Sequence, residues 1–130
     1  MLIFSCKKDK GSSCTISMAS ISGSYKKTAV TYKASATSAE VDYFSTVFPD
    51  ACEWDDINTF DTNGTSHLTD AGIVCSPPST DNGTWSLSGN IMTTGGVPFT
   101  IESFDCKTLV LSFPNIQVAG DKLKITHTRQ

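Results

Sequence analysis

Lys122-Leu123-Lys124-Ile125-Thr126-His127-Thr128 alternates Leu123, Ile125 and His127 with Lys and Thr. A period of two sends successive side chains to opposite faces of an extended strand, whereas a helix needs apolar residues three and four apart. The stretch therefore reads as a half-buried strand with Leu123, Ile125 and His127 on its inward face. Upstream, Thr108 to Phe113 places Leu109, Leu111 and Phe113 on one face, and Phe99 to Phe104 places Phe99 and Ile101 together. Beyond Cys14 no stretch of ten or more residues sustains a helical period.

Between the strands lie Thr62-Asn63-Gly64, Asp81-Asn82-Gly83, Ser88-Gly89-Asn90 and Gly95-Gly96, residues that supply the positive φ angles hairpins require. Eight strands are expected, near 23–32, 55–61, 65–70, 83–88, 91–94, 98–104, 108–113 and 122–128. Short connections imply an antiparallel up-and-down meander, and eight strands suit a closed barrel without exposed edges. One connection is long. Ala34 to Pro49 carries Val41, Phe44, Val47 and Phe48, enough for one helical turn or a lid. Long loops in compact domains often carry function, so two readings stand: a part in ligand access, or a structural flap over one end of the barrel.

Composition agrees with an all-β domain. The chain has 130 residues, 38% apolar and only 18% charged, a mix poor in the charged faces of surface helices. Its net charge of -3 leaves no basic excess to displace counterions from a phosphate backbone, which excludes nucleic acid as the expected partner. No eighteen-residue apolar run is present, so attachment to a membrane would be through lipid. Five cysteines without C-x-x-C spacing read as a disulfide framework in an oxidising compartment. Four of them, Cys14, Cys52, Cys75 and Cys106, allow three pairings, and Cys6 is left over.

Residues that bear chemistry are few. Asp50, Glu53, Asp55 and Asp56 cluster beside Cys52 and Trp54, but not at the alternating spacing of a Ca²⁺ loop, and read as a solvated rim or turn caps. His67 and His127 fall on separate strands and are too few to hold zinc. With no G-x-S-x-G elbow and with oxidised cysteines, the chain is not expected to be an enzyme, and no metal or cofactor is expected. The N-G-T sequences at Asn63 and Asn82 read as hairpin turns leading into strands.

The first residues, M-L-I-F-S-C-K-K-D-K, resemble the tail of a bacterial lipoprotein signal peptide, with Ser5 before the cysteine that would be lipidated, Cys6. Residues 1–20 would then be a signal remnant and tether, and 21–130 the domain. In that domain I-S-G-S-Y from Ile21, D-A-C-E-W-D-D from Asp50, Thr59-Phe60 to N-G-T at Asn63, Cys75, G-T-W-S-L from Gly83 and the final T-H-T-R resemble bacterial lipocalin-like lipoproteins in order and spacing. The resemblance implies an eight-stranded calycin-type barrel, with Gly23 and Tyr25 in the place of the lipocalin G-x-W and Arg129 on the last strand. There an aromatic packs under the arginine to close the barrel base, a role for Tyr25 or Trp85. It also implies the pairs Cys52–Cys75 and Cys14–Cys106.

The expected function is that of a monomeric, lipid-anchored binding protein of a Gram-negative cell envelope, at the outer membrane, periplasmic or surface-exposed. A small apolar or amphipathic ligand would lie in the barrel against Phe99, Ile101, Leu109, Leu111, Phe113, Leu123, Ile125 and His127. The alternative is a filled barrel serving as an adaptor for a protein partner, which an exposed apolar patch around Trp54, Phe44 and Phe48 would favour.

Overall fold

The computed structural model describes residues 14–77 and 81–130. It is all-β apart from one-turn helices, with nine antiparallel strands in one sheet. In chain order these are β1 (Gly23–Lys33), β2 (Val41–Asp42), β3 (Ile57–Phe60), β4 (Thr65–Thr69), β5 (Asp81–Ser88), β6 (Ile91–Thr94), β7 (Val97–Phe104), β8 (Thr108–Pro114) and β9 (Lys122–Arg129). Neighbours from β3 to β9 pair in sequence. On one edge β1 pairs with β3, Gly23 opposite Phe60, and on the other with β9, Tyr25 opposite Arg129 and Lys33 opposite Lys122. The sheet thus closes into a ring. The eight expected strands are joined by a ninth: β2, which pairs only with β1 at Thr31–Asp42 and Tyr32–Val41.

That ninth strand lies inside the long connection, followed by the one-turn helix α2 (Phe44–Val47) and a 3₁₀ turn at Ala51–Glu53. Asp42 starts α2 by accepting a hydrogen bond from the Phe44 N–H at 3.0 Å. At the other end α1 (Met18–Ile21) begins at Ser17, whose hydroxyl accepts from the Ser20 N–H while the Ser20 side chain returns the bond, a capping box. Two-residue glycine turns join β5 to β6 and β6 to β7, with Gly89, Gly95 and Gly96 all at positive φ. Asp81-Asn82-Gly83 corrects the turn reading: these residues are the first of β5, and Gly83 pairs with Ser66. A Cβ there would make an ordinary contact with Ser66 Oγ at 3.5 Å, so it is the strand pairing and not a turn that places Gly83.

Register fixes which side chains enter the ring. Leu109–His127, Leu111–Ile125 and Phe113–Leu123 face one another across β8 and β9, and Ile101 and Phe104 continue the set onto β7 opposite Leu111 and Leu109. The packed core is Ile21, Tyr25, Phe60, Trp85, Met92, Ile101, Phe104, Leu109 and Leu111, with Cys14, Met18, Leu87 and Phe99 against it. It fills the end of the ring that α1 covers. The disulfides are Cys14–Cys106 and Cys52–Cys75, with Cα separations of 5.4 and 5.1 Å. Of the stretch expected to tether the domain, Cys14 onward is fastened to the sheet, the Cys14 N–H donating to the Phe104 carbonyl at 2.9 Å. Cys6 and the rest of that stretch lie outside the described residues.

Candidate functional site at the loop end

The helix-covered end of the ring is shut by side chains. Arg129 lies over the Tyr25 ring at 5.2 Å and donates from Nη2 to Tyr25 Oη and to the Ser20 carbonyl, both at 2.6 Å. Tyr25 Oη in turn donates to the Ile21 carbonyl at 2.5 Å. Gly23 lies against the guanidinium at φ +142°, a backbone conformation that side chains other than glycine rarely adopt, while a Cβ there would only touch Arg129 Nη1 at 3.5 Å. Burial raises the Tyr25 pKa despite the neighbouring Arg129 charge and hydrogen bond. Trp85 packs on Phe60 at 5.4 Å and donates to the Asp61 carbonyl at 2.8 Å. Between the two aromatics considered for stacking under the arginine, Tyr25 holds that place.

Halfway up the ring the interior turns polar. Lys27 stands opposite His127 and donates to Asn58 Oδ1 at 2.9 Å, with its Nζ 5.0 Å from the Phe48 ring centre. Burial lowers the Lys27 pKa, opposed by the charges of Asp56 and Glu53. Asp56 is pushed up to about 6, first by burial, then by a hydrogen bond and charge from Asp70. His127 is lowered to about 4 by burial and by Lys27, against the Leu109 and Ile125 backbone, which favours the charged form. Its Nδ1 has no hydrogen-bond partner.

The far end is built of connections. Antiparallel order brings residues 34–56, 70–77, 95–96 and 115–121 together there, opposite α1. Tyr32 and Tyr43 stack at 4.8 Å, Tyr32 Oη donates to Asp121 Oδ2 at 2.7 Å, and Gln117 Nε2 donates to Tyr43 Oη at 2.6 Å. Buried Asp121 also accepts the backbone N–H groups of Ile116, Gln117 and Val118. Although burial opposes it, these bonds hold its carboxylate down to about 2, and the same contact pushes Tyr32 up to about 12. The β1–β3 and β8–β9 connections are thereby fastened to each other.

The Cys52–Cys75 bond fastens a third connection, bringing Ile73 and Val74 to the Trp54 turn. Asp55 Oδ2 accepts the Ile73 N–H at 2.7 Å, over Gly72 at φ +60°. Trp54 meets Phe44 edge to face at 6.0 Å, and Phe44 meets Phe48 at 5.6 Å. Where β3 leaves β1 above Lys26 and before β2 begins at Thr31, a groove of about 650 Å³ opens. Its walls are Lys27 to Thr31 on one side, and Glu40, Val41, Asp42, Phe44 and Trp54 on the other. Trp54, Val41, Val74 and Ile73 are 44%, 51%, 55% and 62% exposed.

The eight residues expected to line a ligand chamber are brought together on one inward face. Ile101, Leu109, Leu111, Leu123 and His127 are buried, and Phe99, Phe113 and Ile125 half-buried, with Phe99 and Phe113 in ring contact at 5.4 Å. The groove is walled by other residues, and so is a cavity of about 60 Å³ between Asn58, Phe60, Leu68 and Asp81. Among the described residues no group of three His, Cys, Asp or Glu side chains is placed to hold a metal ion. No protein-family description matches the chain, and no curated protein matches it significantly. Sequence reading did not find Lys27, Ile73 and Val74 as parts of one end. The available signal was the apolar Ile73-Val74 pair before Cys75, in a segment otherwise made of turn residues.

Proposed function

We propose that the chain is a non-enzymatic adaptor of the cell envelope, a lipocalin-like barrel whose filled interior supports a docking surface at the loop end. In this reading β1 and β3 to β9 form the eight-stranded barrel, β2 is an addition to it, and a lipid on Cys6 anchors the molecule. One observation carries it. Of the eight large apolar residues exposed among the described residues, seven (Val41, Trp54, Ile73, Val74, Val97, Ile116 and Val118) lie at the loop end, and only Ile16 lies near α1. Apolar exposure gathered at one end marks a surface that another molecule covers. A photo-crosslinking residue at position 74, compared with one at Ile16, tests it in the native envelope. A discrete protein adduct from position 74 alone is expected; equal labelling from both positions, or none from 74, refutes it.

A second reading rests on the groove beside β1. At about 650 Å³, with Val30, Val41, Phe44 and Trp54 for walls, it is large enough for a small amphipathic molecule. The expected ligand then lies against the long connection instead of the barrel lining. A ligand-sized adduct in the native mass of protein from its host, lost on Trp54→Ala, is the outcome that would favour it over the adaptor.

A further inference from the structure

The connections at the loop end differ from the rest of the chain in charge as well as in apolar exposure. Residues 34–56, 70–77, 95–96 and 115–121 contain Glu40, Asp42, Asp50, Glu53, Asp55, Asp56, Asp70 and Asp121, and no Lys, Arg or His. Their roles divide. Asp121 is used by the backbone of its own loop, Asp55 by Ile73, and Glu40 by Lys124 at 2.8 Å. Asp42 and Asp50 are exposed and Glu53 half-exposed, and these three lie close in sequence to Val41, Phe44 and Trp54 of the groove. Lys27 is the groove's own cation, held over Phe48 with Asn58, and Asp56 and Glu53 oppose its loss of charge. Lys33 and Lys122 stand opposite each other at the β1–β9 edge of the same end, Lys122 within 3.3 Å of Glu102. Two carboxylates, Asp42 and the Lys124-bound Glu40, thus line the groove itself, while Asp50 and Glu53 belong to the 3₁₀ turn that leads into its Trp54 wall, and the connecting segments supply no cation.

Building on the adaptor reading, we propose that the partner of the loop end is a protein segment in which Lys or Arg side chains alternate with apolar ones. The apolar side chains would lie against Val41, Phe44 and Trp54, and the cations would meet Asp42, Asp50 and Glu53. Opposed charges around an apolar patch steer encounter and exclude acidic competitors, and they make binding sensitive to salt.

The test uses the disulfide-intact chain, with a short amphipathic Leu/Lys peptide and its Leu/Glu counterpart as probes. Binding is measured by calorimetry, and the surface is located by amide shifts. The Leu/Lys peptide is expected to bind at least tenfold more tightly, with shifts confined to the loop end and an affinity that falls as salt rises. Neutralising the border with Asp42→Asn, Asp50→Asn and Glu53→Gln together should remove that preference, and thermal melting checks that the variant folds. Asn at position 42 keeps an acceptor for the Phe44 N–H. Equal affinity for the two peptides, or salt-independent binding, overturns the charge assignment while a position-74 crosslink keeps the docking surface. Shifts on the outer face of β9 would overturn the location.

Discussion

Removing one oxygen from Tyr25 tests whether the shut end of the ring holds as a unit. In Tyr25→Phe the ring remains under Arg129, so the cation–π contact at 5.2 Å survives while two hydrogen bonds go. The Ile21 carbonyl loses a donor in a fully buried setting, and Arg129 Nη2 keeps only Ser20. A lost bond to a charged group costs about 1.5–3 kcal/mol and an unpaired buried carbonyl about 1 more, so the variant should lose about 2–4 kcal/mol. For a chain of this length that is a fall in Tm of about 6–15 °C. Arg129→Met removes the same bond from the other side, and the double variant closes a cycle. Chemical denaturation of all four proteins should give a coupling of about 1–2 kcal/mol between the two sites. Strict additivity would refute the reasoning: Arg129 would then act through Ser20 alone, and the aromatic would be ordinary core.

Four further outcomes follow from other parts of the molecule. Gly72→Ala puts a Cβ 2.1 Å from Asp55 Oδ2 at φ +60°, so Asp55 must release Ile73, and a loss of about 2–3 kcal/mol is expected in denaturant melts. Replacing Cys52 and Cys75 together by Ser opens a loop with a sequence separation of 23, which the chain-entropy view values at about 3 kcal/mol; unchanged stability would show that the connection is held by other contacts. His127, lowered to about 4, is neutral in the fold, so its contribution is present above its unfolded pKa near 6.5 and is lost as pH falls through about 4. Asp56, raised to about 6, works the other way, its contribution being present below the unfolded carboxyl range and lost as pH rises through 6. The fall in stability between about pH 6.5 and 4 should therefore be smaller in His127→Leu, and Asp56→Asn should stabilise the protein by on the order of 1 kcal/mol at pH 8 and not at pH 4.

Most of the strands were legible because each carries its own signal. Leu109, Leu111 and Phe113 alternate with residues of the other face, and Gly95-Gly96 can only be a turn, so β6 to β9 could be placed from local pattern alone. Asp81-Asn82-Gly83 misled because its turn-favouring residues also fit the start of an extended strand, where cross-strand pairing with Ser66, His67 and Leu68 decides the conformation. β2 escaped because two residues carry no periodicity, and its existence depends on Thr31 and Tyr32 having an edge free after β3 has left β1. The loop end was the least legible. Trp54, Val41 and Val74 are separated by up to 33 positions, and only Cys52–Cys75 and the Tyr32–Tyr43–Asp121 contacts make them neighbours.

The two disulfides divide the molecule's work between its ends. Cys14–Cys106 ties the incoming chain to the end that α1 and Arg129 shut, so a lipid on Cys6, eight residues earlier, could stand no more than about 28 Å from that end. A molecule anchored that way would hold its packed end toward the membrane and its loop end away from it. Cys52–Cys75 braces the opposite end, where Trp54, Ile73 and Val74 lie beyond the packed core and need some other means of holding a fixed shape. Rigid exposed apolar groups lose less entropy on docking than mobile ones. Reducing that single bond should therefore weaken binding at the loop end more than the loss of global stability accounts for. If binding follows global stability alone, the brace has no part in docking and serves only the fold.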